Sequence, residues 1–366
     1  LSAVTTVAIV HDYLTQRGGA ERVVLALAGT FPAAPVHTSL YDPDGTFPEF
    51  RAIDVQPLPI DRIALLRRHH RLALPVLAPS FSALRVHAEV TVCSSSGWAH
   101  GARTSGRKVV YCHTPARWLY QSERYLAGFS GPAGVALGAM RPALRLWDRR
   151  AAASADRYLV NSTAVRQRVA DLYDIDAEVL PPPVSIDASA PIEAVAGVEP
   201  GFLLCVSRLL SYKNVGAVVA AFATLPDHRL VVVGTGPLSA DLTLRATANV
   251  RLVGEVGDAE LRWLYRHCVG LVAASHEDFG LTPIEAAAYG KPTAALRWGG
   301  FLDTTVEGET GVFFDQAEPA PIAAAVTQLA STDWQERALV THAGRYSVAR
   351  FADRLRAVVD EEAAGQ

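Results

Sequence analysis

Paired cysteines at metal or redox spacing are missing from this chain of 366 residues. Its four cysteines, Cys93, Cys112, Cys205 and Cys268, form no CxxC, and the flanks of the first three read as buried strands. A metal cluster and a disulfide framework are therefore not expected, and a reducing, cytoplasmic compartment is. Charge of one sign is also missing. With 34 basic and 37 acidic residues the net charge is −3, which gives no global reason to expect nucleic acid as a partner. Long hydrophobic runs are absent: the most apolar stretches, 133–140 and 215–225, are too short or too glycine-broken to cross a bilayer. A membrane role would be peripheral, at the inner face. The first residues, LSAVTTVAIVHDYL, lack the basic start and cleavage site of a signal peptide. The loop after the first strand lacks G-x-G-x-x-G, and no matching acidic residue follows a second strand, so a nicotinamide enzyme is disfavoured. There is no low-complexity repeat.

What is present is globular. Half the residues are hydrophobic and 19% are charged, and the length suggests more than one core. Short apolar runs alternate with helical patterns. Val7–Val10 leads through HDYLTQRGG into a helix at Ala20–Ala28. Glu89–Cys93, Lys108–Cys112 and Tyr158–Val160 follow, the last before a helix that Asn161 or Ser162 can cap. Residues 181–201, PPPVSIDASAPIEAVAGVEPG, break the rhythm and read as an interdomain linker. The alternation then restarts with strands at Phe202–Val206, Leu230–Val233, Val250–Val253, Val269–Ala273 and Thr293–Leu296, with Asp258 as a helix cap. This predicts an α/β protein of two doubly wound domains, 1–187 and 188–345, with a last amphipathic helix at 346–366. Ligands of such sheets bind beyond the carboxyl ends of the strands, so a cleft shared by the domains is the expected active site.

Several loops at those strand ends carry chemistry. In SHEDFGLTPIEAAAYGKP, Glu277 and Glu285 stand with seven residues between them. Thr282 as cap, Pro283 at the first helical position and Glu285 at the third would make a capping box, a purely structural role. A helix start reached through the Gly280 turn is also an anion site, to which the amides of Phe279, Gly280 and Leu281 would point. Capping gives no reason for Glu277, which can accept hydrogen bonds from sugar hydroxyls. Gly18 and Gly19 open the first helix and permit close approach of backbone to a phosphate, or simply make a turn. Arg208 and Lys213, on one loop, can clamp a diphosphate or lie solvated. His113 follows a strand directly, where a functional and a structural histidine are equally expected. GTGP at 234–237 reads as structural, and Gly299-Gly300 allows another close approach. Asp42-Pro43-Asp44-Gly45 is formally D-x-D, but as a turn sequence it outweighs a metal site. Arg141, Arg145 and Arg149 share a helix face and read as solvated. RRHHRL at 67–72, with Arg67, Arg68 and Arg71, reads as either solvated charge or a patch for anionic lipid.

Taken together, EDFGLTPIE with AAAYGKP, SRLLSYKN, QRGGAER, VVVGTGPL, RLVGEVGDAEL and GGFLDTTVEGETGVFF resemble, in order and over essentially the whole chain, the retaining GT-B glycosyltransferases of family 4. HDYLTQRGGAERVV, YCHTPARW, RLWDRRAA and EDFG look especially like bacterial mannosyltransferases of O-antigen and exopolysaccharide assembly. The resemblance implies two Rossmann-like domains facing a central cleft. It implies transfer of a hexose, mannose from GDP-mannose as first choice, to a glycan, glycoside or lipid-linked hydroxyl, with retention and without metal or other cofactor. Arg208 and Lys213 would hold the donor diphosphate. Glu277, with the amides of Phe279 and Gly280, would hold donor-sugar hydroxyls, and Glu285 the ribose. Asp278 and Leu281 would line the donor site beside them. Gly18 and Gly19 would approach from the first domain, His113 would contact the donor sugar, Val253 to Val256 would lie near the base, and the last helix would pack on the first domain. Asp278 stands where many members have glycine, and Asp303 where glutamate is common. A UDP-, ADP- or dTDP-sugar donor, and a nucleotide-sugar-binding protein without turnover, are the alternatives.

Overall fold

A computed structural model describes residues 5–69, 73–120, 132–184 and 186–365. The chain divides into two units, Leu1–Pro183 with Val348–Gln366, and Val184–Ser347.

Unit 1 is a seven-stranded parallel sheet. From edge to edge its strands run Val55–Pro57, Val36–Thr38, Val7–His11, Val90–Ser95, Arg107–Cys112, Arg157–Val160 and Glu178–Val179. Successive side chains on each strand alternate between two cores, as the pleat requires. Ile9, Val92, Val109 and Tyr111 face one, while Val10, Cys93, Val110 and Cys112 face the other. Helix Val348–Ala364 completes the first of these: Phe351, Leu355, Val358 and Val359, at helical spacing, pack with Ile9, Val24 and Leu27. Its outer side is tied by ion pairs, Arg354 to Glu178 at 2.7 Å and Arg107 to Glu362 at 2.9 Å. Burial raises the Glu178 carboxyl, but hydrogen bonds from Arg157 and Arg354 outweigh it and hold the pKa below its ordinary value.

Unit 2 has six parallel strands in the order Val250–Gly254, Leu230–Val233, Phe202–Val206, Cys268–Ala273, Thr293–Leu296 and Gly311–Phe314. The stretch expected to be a linker is packed instead. Val195 and Val198 are buried in the unit 2 core, and Arg251, Arg262 and Arg266 donate hydrogen bonds to the carbonyls of Ala196, Pro191 and Ala188. Apolar anchors fix this proline-rich, aperiodic stretch to the second unit. All four cysteines are buried, and burial pushes the Cys93, Cys205 and Cys268 thiols up to about 12.

Each sheet has one switch point, where the strand order reverses direction. In unit 1 it lies between Val7–His11 and Val90–Ser95, and in unit 2 between Phe202–Val206 and Cys268–Ala273. Loops diverge there and leave a crevice beyond the carboxyl ends of the strands.

Candidate functional site

In unit 2 the loops after the two switch-point strands carry Arg208 and Lys213 on one side and Glu277 on the other. A short 3-10 turn, Ser211–Lys213, directs the lysine inward, and Asn214 then adopts a left-handed conformation with φ 55°. The Asn214 amide donates to the Ala274 carbonyl at 2.9 Å, tying this loop to the end of the neighbouring strand. Lys213 is buried and its ammonium makes a short ion pair with Glu277 Oε1. The Glu277 side chain keeps 27% of its surface exposed, so the pair opens to one side. Arg208 is exposed, and Tyr212 links it to the lysine: the guanidinium donates to the Tyr212 hydroxyl at 3.3 Å, and Lys213 Nζ stands 5.0 Å from the centre of the same ring. Two cations five residues apart thus share one aromatic support.

The opposite wall is built by close backbone approach. A Cβ on Gly299 would run into the Glu277 carbonyl, and one on Gly300 into Phe279. The Gly300 amide donates to the Glu277 carbonyl at 3.0 Å. Asp278 and Phe279 are buried by this contact. Gly280, at φ 86°, turns the chain into helix Leu281–Ala288 and is its N-cap. This corrects the capping box expected from the sequence. The helix begins before Thr282, no side chain caps it, and Glu285 lies in its second turn. Glu285 Oε2 instead accepts from the Tyr265 hydroxyl at 2.6 Å. Tyr265 is fully buried and stacks on Tyr289 with ring centres 5.7 Å apart. Burial first, and then the Glu285 charge, hold its phenol pKa well above the ordinary value, so it stays a donor. Val253 and Val256 are half-buried against the unit 2 core at the end of the edge strand. The Asp258 cap is also corrected: Gly257 precedes the helix, and Glu260 accepts its amide at 2.8 Å. GTGP supports the Arg208 loop, with the Leu209 amide donating to the Thr235 carbonyl at 2.9 Å.

In unit 1, Gly18 caps helix Gly19–Thr30, and a Cβ on Gly18 would lie 2.6 Å from Glu21 Oε2. Glu21 is buried, accepts from Gln16 at 3.1 Å through Oε1, and leaves Oε2 without a hydrogen-bond partner. Burial raises its pKa, opposed by the nearby His11. Asp12 is also raised by burial, against His11 and the amides of Ala99 and Ser96, which it accepts at 2.6 Å each. His113 lies at the end of Arg107–Cys112, its ring bonded to Ser94 at 2.8 Å and its carbonyl held by the Asn161 amide at 2.8 Å. Ser162, not Asn161, caps the following helix. Asp42–Gly45 is a turn, with Asp44 paired to Arg51. The arginine series lies toward solvent as expected, Arg145 and Arg149 exposed and Arg141 half-buried, and it also holds backbone. Arg141 and Arg145 donate to the Leu119 carbonyl and Arg149 to that of Leu172. Arg67 pairs with Asp61 at 3.4 Å, Arg68 is exposed, and Arg71 lies outside the described residues. Tyr212, Tyr265, Ser94 and Glu21 escaped the sequence reading; only their side-chain contacts in the fold mark them.

Two family models divide the chain. "Glycosyltransferase Family 4" matches residues 17–188, and "Glycosyl transferases group 1" matches residues 192–345. Two parallel doubly wound units with residues gathered at each switch point define the GT-B class. The chain belongs to the glycosyltransferases of family 4. Among curated relatives, it is 32% identical over 160 residues to the D-rhamnosyltransferase WbpZ of Pseudomonas aeruginosa, covering 42% of this chain and 41% of that protein. It is 28% identical over 283 residues to the D-inositol 3-phosphate glycosyltransferase of Mycolicibacterium gilvum, covering 68% of this chain and 63% of that one. The matches thus span less than two thirds of either relative's length. Solved structures share the fold. Anabaena HepE in complex with UDP-glucose has a TM-score of 0.70 at 16% identity, covering 97% of this chain and 100% of that one. Sucrose-phosphate synthase from Thermosynechococcus elongatus has 0.69 at 18%, covering 98% and 100%.

Proposed function

We propose that the chain transfers a hexose from a nucleotide diphosphate to a hydroxyl of a lipid-linked or glycoside acceptor, with retention. GDP-mannose is the first-choice donor. The observation that carries this reading is the Lys213–Glu277 pair at the unit 2 switch point, with Arg208 joined to it through Tyr212. Cations and a carboxylate side by side suit a donor whose diphosphate is anionic and whose sugar is a field of hydroxyls. As the glycosidic C–O bond breaks, negative charge grows on the diphosphate, and Arg208 and Lys213 stabilise it. Glu277 orients sugar hydroxyls beside the reacting carbon. Glu285, whose Oε2 accepts from Tyr265, meets the ribose. Asp278, Phe279, Gly280 and Leu281 line the same donor site, Val253 and Val256 flank the base, and Gly18, Gly19 and His113 are the donor-binding groups of unit 1.

The acceptor hydroxyl attacks from the face the diphosphate leaves, and a departing phosphate oxygen takes its proton. No metal or other cofactor enters this scheme. Exposed Ile63 and Leu65 beside Arg67 and Arg68 favour peripheral contact with an anionic membrane at its cytoplasmic face, where a lipid-linked acceptor would lie. Similarity to a D-rhamnosyltransferase favours a deoxyhexose nucleotide as the second donor choice, and the fold shared with a UDP-glucose complex favours a uridine donor next.

The test is product analysis with a panel of nucleotide sugars and a mixed glycoside and lipid-linked acceptor set, with the anomeric configuration read by NMR. Transfer with retention, unaffected by EDTA, is expected. Donor binding with neither transfer nor hydrolysis across the panel would make the chain a nucleotide-sugar-binding regulator. Loss of activity in EDTA restored by manganese would return Asp42 and Asp44 to consideration.

A further inference from the structure

The unit 1 sheet register sets three polar side chains in a row. His11 pairs with Ser94 across neighbouring strands, and His113 follows Cys112, the partner of Ser95. The His113 amide donates to the Ser95 carbonyl at 2.9 Å, which continues that register past the end of its strand. All three side chains are buried. His11 Nδ1 stands 3.1 Å from the Ser94 carbonyl oxygen and 3.1 Å from Ser94 Oγ. Ser94 Oγ stands 2.8 Å from His113 Nε2.

Counting donors and acceptors over these contacts favours the arrangement in which the buried Ser94 hydroxyl proton also has a partner. A carbonyl only accepts, so His11 Nδ1 carries a proton. That N–H is shared between the Ser94 carbonyl and hydroxyl oxygens. The Ser94 hydroxyl proton then cannot point back at His11; a His113 Nε2–H donating to Oγ would leave that proton out of these contacts, whereas donation to His113 Nε2 uses it. A neutral imidazole accepting on Nε2 carries its proton on Nδ1. We infer that Ser94, itself oriented by His11, is a positioning residue that fixes His113 as the Nδ1–H tautomer. The arrangement makes His113 a hydrogen-bond donor on its δ side. It also engages the Nε2 lone pair, so the ring is not a general base unless the Ser94 bond breaks. This agrees with a reaction in which the leaving phosphate, not a side chain, receives the acceptor's proton. Only that catalytic consequence rests on the transferase reading; the tautomer does not.

The experiment uses the ligand-free full chain with ¹⁵N-labelled histidine. His113 is assigned by the signals lost in His113→Asn, and its two ring nitrogens are read by long-range ¹H–¹⁵N correlation. Wild type is expected to show a protonated Nδ1 and an unprotonated Nε2. Ser94→Ala should move the ring toward Nε2–H, the form an unconstrained imidazole prefers, while Ser94→Thr, which keeps the hydroxyl, should retain Nδ1–H. In turnover, Ser94→Ala should lower kcat by about tenfold with little change in donor KM, the scale of losing an orienting partner. A wild-type ring protonated on Nε2, or an unchanged His113 spectrum in folded Ser94→Ala, overturns the assignment. The wild-type spectrum decides even where the alanine variant does not fold. The expected tautomer in a chain without transfer activity supports Ser94's role and overturns the transferase reading alone.

Discussion

Lys213 and Glu277 lie 64 positions apart in sequence and meet because parallel strands end side by side at a switch point. Replacing either by alanine leaves the other charge partly buried and, in the proposed reaction, removes a contact to the developing diphosphate or sugar charge. Lys213→Ala and Glu277→Ala are each expected to lower turnover by at least ~10²-fold, the scale of one lost transition-state electrostatic contact. Steady-state rates near wild type in either variant would contradict the assignment. Tyr265 makes a different prediction. Its hydroxyl fixes one oxygen of Glu285, so Tyr265→Phe should weaken discrimination between ribo- and deoxyribonucleotide diphosphates while largely sparing kcat. Competition binding with matched nucleotide pairs checks this, and unchanged discrimination would place Tyr265 in the core only. Glu277 and Glu285 were legible because a motif names them. Tyr265, Tyr212 and Ser94 were not, since a tyrosine or serine looks like any other until register and packing supply its partner.

Helices and strands were legible where apolar period and punctuation agree. Phe202–Val206, Leu230–Val233 and Thr293–Leu296 have the bounds the sequence gives them, because continuous β-branched or aliphatic runs stop at turn residues. The start of Leu281–Ala288 was misplaced because Thr-Pro has the local chemistry of a cap, whereas a left-handed Gly280 packed against Phe301 sets the actual turn. Helix Val348–Ala364 returns to unit 1 through its apolar stripe. Leu355→Ala, at a fully buried position, should destabilise the chain by about 2–5 kcal/mol in denaturant unfolding. A loss below that range would mean the stripe contributes little.

Helix Glu336–Ala343 carries a pH dependence. His342 is buried against the Thr304 carbonyl, and burial lowers its pKa despite that hydrogen bond and the Glu309 charge, with Arg345 adding to the lowering. The unfolded state therefore binds a proton more readily. As pH falls below about 6.5, the ordinary histidine value, unfolding should become easier, and His342→Asn should flatten this part of the stability–pH curve. An identical slope in the variant would show that other groups set it.

On the scale of the whole molecule, two doubly wound units each gather candidate site residues at one reversal of strand order. That much follows from alternating strands and helices with odd loops at the carboxyl ends. Strand order, the edge strand Val55–Pro57 with its neighbour Val36–Thr38, and the packed stretch 186–201 did not follow, because short strands and aperiodic segments are held by tertiary contacts rather than by their own pattern. No helix among the described residues is long and apolar enough to cross a membrane. The central claim is that unit 2 binds a nucleoside diphosphate through Lys213 and its partners. Thermal unfolding of the full chain with GDP, UDP, ADP or dTDP tests it most directly. At about 100 times its Kd, the correct nucleotide should stabilise wild type by about 2.7 kcal/mol, and Lys213→Ala should lose most of that gain. No stabilisation by any of the four, or an equal gain in Lys213→Ala, would contradict it.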